Sequence, residues 1–266
     1  MRIVRFIEEQ TRTPVVADDR GDGSAEIIAG DFPHFVATGR TVAIGRRLAP
    51  IVPADILCIG LNYRAHAAEQ GSALPKNPML FIKSGNALAG PEEDVPLPSN
   101  SDKVDFEAEL AVVIGRDARR LSPAQALDYV YGYTIANDVS ARDWQKEKDL
   151  NGGQFARGKS FDRFCPIGPA IVTADEVPDP NALPITLRLN GQVMQDGNTS
   201  DMIFSVAEII ASLSQTMTLR AGSIVLTGTP EGVGMARTPP VFLRPGDVTE
   251  IDIGSLGTLR TRFTAE

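Results

Sequence analysis

The sequence predicts an α+β fold dominated by mixed sheet, with a few short helices packed on the outside. Three observations carry that prediction. β-Branched and aromatic runs of strand length recur along the whole chain. Turn signals such as the ADDRGDGS stretch, Asn190-Gly191 and Pro245-Gly246-Asp247 separate them. Helical signatures are confined to short segments.

Residues 1–52 hold the runs MRIVRFI, TPVVADD and TVAIGRR and read as a small N-terminal β-rich domain. Pro53 and an expected strand from Ile56 to Leu61 open a larger domain, residues 53–266. VDFEAELAVVIG alternates and then turns fully apolar, as a strand does on running from a lined site into a core. YVYGYTIAND is a further strand, and Asn190-Gly191 sits between two more as a hairpin turn. SIVLTGTPEGVG is a strand that breaks into a glycine-rich loop, and the stretch from Arg244 to Phe263 supplies two or three others. Ser122-Pro123-Ala124-Gln125 and Ser205-Val206-Ala207-Glu208 have capping-box spacing, so each starts a helix. Ser140 to Lys148 is a third candidate helix, with Ser140 and Asp143 at capping-box spacing.

Composition excludes several functions. The formal net charge of −8 repels phosphate backbones, so nucleic acid is a poor partner. No apolar run approaches the roughly 20 residues of a membrane helix, and the N-terminal stretch is not a signal peptide. Two cysteines, Cys58 and Cys165, do not make a disulfide framework. A cytoplasmic protein with two buried thiols is expected. With only His34 and His66, a multi-histidine zinc site is out of reach.

The sharpest local feature is Asp105-Phe106-Glu107-Ala108-Glu109. Alternation along a strand puts Asp105, Glu107 and Glu109 on one face. Buried unpaired carboxylates cost several kcal/mol each, a penalty that a hard cation with oxygen ligands removes. The alternative is a solvated edge strand. Asp138 closes the apolar run GYTIAN and supplies a third carboxylate, which makes Asp105 a supporting or solvated residue. An all-oxygen site of Glu107, Glu109 and Asp138 favours Mg²⁺, Mn²⁺ or Ca²⁺ over zinc.

His66 and Glu69 are three apart and meet on one face if GLNYRAHAAEQ is helical. A carboxylate beside an imidazole suits a general base; solvated helix residues are the plain alternative. Residues 70–78 form either a lid or an ordinary loop. Arg142 and Gln145 share a helical face, with Gln145 a donor into a site that begins at Asp138, or Arg142 simply paired on the surface. Lys159 sits in Gly-Lys-Ser without the spacing of a phosphate-binding loop, as a structural cation or an oxyanion donor. The glycines after Thr227 lack dinucleotide spacing; beside Thr229 they admit a substrate carboxylate to backbone N–H groups, or else form a tight sheet corner.

Seven stretches in order resemble the fumarylacetoacetate hydrolase family: CIGLNYRAHAAE, MLFIKSGNAL, VDFEAELAVVIG, YGYTIANDVSARDWQ, ARGKSFDRFCPIGP, LNGQVMQDGNTSDMIF and LTGTPEGVG. They cover roughly residues 56 to 235. The resemblance implies a mixed β-sandwich roll, a homodimer, and Mg²⁺ or Mn²⁺ in the cleft with Ca²⁺ as a substitute. It carries the metal ligands to Glu107, Glu109 and Asp138, and the base dyad to His66 and Glu69. It carries substrate or oxyanion contacts to Gln145, Lys159, Thr229, Arg142 and Lys83. The larger fumarylacetoacetases add an upstream aspartate with no clear equivalent here.

The expected reaction is hydrolysis of a carbon–carbon bond in a 2,4-dioxo acid of the acylpyruvate type. With the 1-carboxylate and 2-oxo oxygens chelated, His66 takes a proton from water and hydroxide attacks the 4-carbonyl. Lys159 and Gln145 face the oxyanion, and the bond between carbons 3 and 4 breaks. Alternatives are decarboxylation of oxaloacetate, isomerisation of a 2-hydroxy-dienedioate and, last, a non-enzymatic metal-stabilised protein.

Overall fold

The computed structural model describes residues 1–150 and 153–266. Its N-terminal strands are β1 (Arg2–Ile7), β2 (Pro14–Asp19), β3 (Ser24–Ala29), β4 (Val36–Ala43) and β5 (Arg47–Leu48). β3 adds to the expected set; its short SAEIIA run, broken by Glu26, carries little strand pattern. Next come β6 (Ile56–Gly60), helix α1 (Arg64–Glu69), β7 (Met79–Lys83), β8 (Leu88–Ala89), β9 (Val95–Leu97), β10 (Val104–Asp105) and β11 (Ala108–Ile114). Then follow α2 (Pro123–Ala126), β12 (Val130–Asn137), β13 (Ser140–Ala141), α3 (Arg142–Lys146), α4 (Phe155–Gly158) and β14 (Cys165–Thr173). The chain ends with β15 (Pro184–Leu189), β16 (Gln192–Asn198), α5 (Val206–Thr216), β17 (Ile224–Leu226), β18 (Val248–Ile253) and β19 (Thr258–Ala265).

The large sheet runs β4-β3-β2-β1-β14-β12-β11-β17-β6-β7. β6 and β17 pair in parallel and most other neighbours antiparallel, so the sheet is mixed. A second sheet, β16-β15-β18-β19-β9, packs on β11, β12 and β14. The fold is therefore β-dominated, with the short helices outside the sheets. β1 pairs with β14, which joins the N-terminal strands to the large sheet, and Val4, Phe6, Ala17 and Ala25 form a small apolar cluster with Ala170.

Every residue of β11 is buried, because the strand lies between β12 and β17 beneath the second sheet. Each such Leu, Val or Ile contributes about 1.5–3 kcal/mol of burial. The solvated-edge alternative for this strand is thus removed. Asn190 and Gly191 have φ of +51° and +83°, as a tight hairpin turn between β15 and β16 requires. Both capping boxes form, at Ser122–Gln125 and Ser205–Glu208. The Ser140–Asp143 box does not. Ser140 pairs opposite Asp105 in the short β10–β13 ladder, and its hydroxyl donates to the Asp138 carbonyl. The helix consequently begins two residues later, and the Asp143 carboxylate accepts from Ser101 and from the Asp102 and Trp144 N–H groups.

Candidate metal centre and cleft

Strand register builds the acidic cluster. Ala108 faces Asn137 and Glu109 faces Ala136, so one step back Glu107 faces Asp138. The ladder extends there by one bond, from Asp138 N–H to the Glu107 carbonyl at 2.9 Å. Glu107 and Asp138 are thus cross-strand neighbours, and Glu109, two residues on, shares their face. All three are buried, and a carboxylate oxygen of each lies within 4.8 Å of the others. Asp105 departs from this group, since the strand is interrupted at Phe106–Glu107. It is buried, not solvated: it accepts from Gly234 and Met235 N–H and from Arg142 Nε at 2.8 Å.

Three buried cations answer these acids. Lys159 Nζ lies 2.7 Å from Glu107 and 2.5 Å from Asp138, beneath the Phe81 ring. Arg142 sits 2.7 Å from the other Glu107 oxygen, in an ion contact not aligned as a hydrogen bond. Lys83 donates to the second Asp138 oxygen and to the Val139 carbonyl. Burial alone would drive Lys159 towards neutrality, but Asp138 and Glu107 outweigh it and hold the ammonium above its usual range. Burial likewise opposes charge on Glu107, yet Lys159 and Arg142 keep that carboxyl well below its usual range.

Glu109 differs. Among the described residues no Lys or Arg pairs with it; it accepts a hydrogen bond from Gly228 N–H at 2.7 Å. Burial, then Asp138 and Glu107, push its carboxyl well above the usual range. An uncompensated buried carboxylate beside two others is what a hard divalent cation would relieve. Each carboxylate oxygen carries two lone pairs, so the ion pairs to lysine leave Glu107 and Asp138 able to ligate. The donor set therefore fits such a cation.

Glu107 and Glu109 open on a cleft of about 210 Å³ that is also lined by His66, Gln70, Arg142, Gln145, Lys146, Lys159 and Thr229. Asp138 and Lys83 stand behind this wall. Helix α1 brings His66 to the cleft, with Nδ1 at 2.9 Å from Glu69. His66 Nε2 meets the Gln70 amide at 2.6 Å, and Gln70 Oε1 accepts from Lys146 at 3.2 Å. Lysine only donates, so Gln70 must present its oxygen to Lys146 and its N–H to His66. Nε2 is then the acceptor and Nδ1–H points at Glu69. Partial burial works to raise Glu69, but the His66 and Gly232 hydrogen bonds outweigh it and hold the carboxyl below its usual range.

The glycine-rich loop supports the site from behind. Its N–H groups do not wait for a substrate carboxylate: Gly228 donates to Glu109, Gly232 to Glu69 and Gly234 to Asp105. A side chain at Gly234 would collide with the Val241 carbonyl, and one at Gly232 with that of Met194. Two buried amides complete the frame and were not singled out in the sequence. Gln195 bridges Ala108 N–H, the Thr229 hydroxyl and the Pro230 carbonyl. Asn62 ties the start of α1 to Thr227 and Phe204. Asn62 follows an apolar strand in a turn and Gln195 lies in a polar strand among Gln192, Asp196 and Asn198, and no spacing rule marks either.

A model of the fumarylacetoacetate (FAA) hydrolase C-terminal domain matches residues 55–264. The chain belongs to the fumarylacetoacetate hydrolase family. Among relatives in this family, a mitochondrial oxaloacetate tautomerase of Bos taurus is 48% identical, over 97% of this chain and 90% of its own. Its Homo sapiens counterpart is 40% identical with the same coverage. The 2-hydroxyhepta-2,4-diene-1,7-dioate isomerase of Mycobacterium marinum superposes with a TM-score of 0.85 at 38% identity, covering 100% of this chain and 99% of that one. The 5-carboxymethyl-2-hydroxymuconate delta-isomerase of Mycobacterium smegmatis gives 0.86 at 37%, covering 100% of both. The family's mixed β fold is thus the fold of this chain.

Proposed function

We propose that this enzyme moves a proton at the carbon next to the carbonyl of a small 2-oxo acid, with keto–enol tautomerisation of oxaloacetate as the leading reaction. The observation that carries this is the opening of His66 into the same cleft as Glu107 and Glu109. Glu107, Glu109 and Asp138 would hold Mg²⁺ or Mn²⁺, which when bound supplies Lewis-acid stabilisation of an enolate oxygen.

His66 acts through Nε2. Glu69 fixes the ring and steadies the imidazolium that forms when the proton arrives. Gln70 must swing off Nε2 first, which costs one hydrogen bond. Lys159 stays charged and fixes Glu107 and Asp138. Lys83 does the same for Asp138 from behind and touches no substrate. Gln145 spends Oε1 on Arg142 at 3.1 Å, so its amide N–H remains to donate to a substrate oxygen. Thr229 offers a hydroxyl whose lone pair already accepts from Gln195. The names of the tautomerase and isomerase relatives support proton transfer as the shared step.

Hydrolysis of a 2,4-dioxo acid is the second reading. The same dyad could deprotonate a water, and Gln145 and Lys159 both line the wall where a 4-oxyanion would need donors. Decarboxylation uses the dyad least. A time course by NMR and enol absorbance, with Mn²⁺ and a panel of oxaloacetate, acetylpyruvate and fumarylpyruvate, separates the three. Faster keto–enol exchange of oxaloacetate with no new product is expected. Pyruvate plus a carboxylic acid would move the assignment to hydrolysis, and pyruvate plus bicarbonate to decarboxylation. No acceleration with any member sinks the proposal.

A further inference from the structure

The cleft has a second charged end. Lys146, at the C-terminus of α3, lines the wall together with Gln70. Unlike Lys83, Arg142 and Lys159, it has no carboxylate within ion-pair distance among the described residues. Among the described residues its hydrogen bond goes to a neutral acceptor, Gln70 Oε1, at 3.2 Å. We propose that Lys146 anchors a second carboxylate on the substrate, so that the site selects 2-oxo (or 2-enol) dicarboxylates over monocarboxylates. This inference rests on the 2-oxo-acid reading above and adds to it the residue that recognises the far carboxylate.

At the inner end, Glu107 and Glu109 repel any anion that does not arrive with a cation. Only one end of an oxo acid can be accommodated there. At the outer end, Lys146 has no carboxylate within ion-pair distance among the described residues; it feels Arg142 and Lys159, two like charges, and the carboxylates of Glu107 and Asp105 offset them only in part and from beyond that distance. Partial burial and Arg142 push the Lys146 ammonium below its usual range. An incoming carboxylate relieves that repulsion and replaces a neutral acceptor with a charged one, which roughly doubles the strength of the hydrogen bond. Gln70 keeps the flexible lysine stem turned into the cleft while the site waits.

Calorimetric binding to the Mn²⁺-loaded protein tests this, using 2-oxoglutarate and 2-oxobutanoate, whose keto–enol exchange yields no net product. The parent should bind the dicarboxylate at least about tenfold more tightly, a gap of about 1.4 kcal/mol. Lys146→Met should erase that preference, Lys146→Arg should keep most of it, and Lys146→Glu should invert it. With a substrate that turns over, the loss should fall on KM more than kcat, since the contact is made equally in ground and transition states. A parent without the preference, or a folded Lys146→Met that keeps it, overturns the proposal. If the preference holds and no proton transfer is seen, it is the reaction assignment that fails and not the role of Lys146.

Discussion

The inner and outer halves of the cleft are built on opposite plans. Inside, Glu107, Glu109 and Asp138 project from adjacent antiparallel strands and are buried, and buried lysines and an arginine hold Glu107 and Asp138. Outside, His66, Glu69, Gln70 and Lys146 stand on two short helices and are joined mainly by single hydrogen bonds to neutral or half-exposed groups. The inner half is fixed by sheet register and strong charge. The outer half rests on weak contacts that can be exchanged for contacts to substrate. A cation site needs fixed geometry, whereas a base that must release Gln70 needs contacts that break cheaply.

Two substitutions in the inner half should break this picture most sharply, and in different ways. Glu107→Ala takes from both Lys159 and Arg142 one of their two buried carboxylate partners, leaving Asp138 and Asp105, and breaking a buried pair typically costs about 3–5 kcal/mol. It should lower the melting temperature of the metal-free protein strongly and remove Mn²⁺ binding. Glu109→Gln removes the one carboxylate that has no cation. It should leave the metal-free protein at least as stable while abolishing the Mn²⁺-induced rise in melting temperature. Equal destabilisation by the two would refute the claim that Glu109 is the uncompensated member.

In the outer half, His66→Ala should lower turnover by about 10²- to 10⁴-fold and leave Mn²⁺ affinity within about twofold. Unchanged turnover would remove the dyad from the mechanism, and a matching loss of Mn²⁺ would place His66 in the inner half instead.

The two halves should also respond differently to pH. The Glu109 carboxyl is raised by burial and by its neighbours, so in the metal-free protein it keeps a proton at pH values where an ordinary carboxylate has lost it. A cation must displace that proton. Mn²⁺ affinity should therefore weaken as pH falls through the raised value, with proton release on binding. Calorimetry in buffers of different ionisation enthalpy measures this, and no proton release between pH 5 and 8 would contradict it. Glu69 behaves oppositely. Its carboxyl lies below the usual value, so its contribution to stability is present above the unfolded-state pKa and is lost only as pH falls through the lower folded value.

The smallest expected effect is at the foot of α1. Asp201 accepts from Ala65 N–H at 2.9 Å and satisfies an orphan donor in the first turn of that helix. Asp201→Ala should cost about 1 kcal/mol locally. Amide exchange should quicken in α1 and not in β11, and equal quickening in both would show that the halves are not independent.

Much of the inner half was legible in the chain. A Glu-x-Glu on a strand must put both acids on one face, and an Asp that ends an apolar run marks a polar group at the strand's end, here buried behind the cleft wall. The hairpin at Asn190-Gly191 and the helix starts at Ser122 and Ser205 were equally plain, because each depends on neighbours within four residues. Asp105 shows where that kind of reasoning stops. Alternation puts it with Glu107 and Glu109, but the strand breaks at Phe106 and the carboxylate turns to Arg142, Gly234 and Met235. Ser140 failed as a cap for a related reason, since pairing opposite Asp105 claimed it first.

The sequence by itself determined which residues could do chemistry: three acids on strand ends, a histidine with a carboxylate one helical turn away, and a lysine in an apolar setting. These follow from the periods of strand and helix, which are local. Tertiary structure alone decided the partners. It set Glu107 opposite Asp138, gave two of the three acids their cations and left Glu109 without one. It also spent the loop glycines' N–H groups on Glu109, Glu69 and Asp105, and left Lys146 facing the cleft with Gln70 as its hydrogen-bond partner among the described residues. Those outcomes depend on which distant segments share a register or a corner, and no local pattern encodes that.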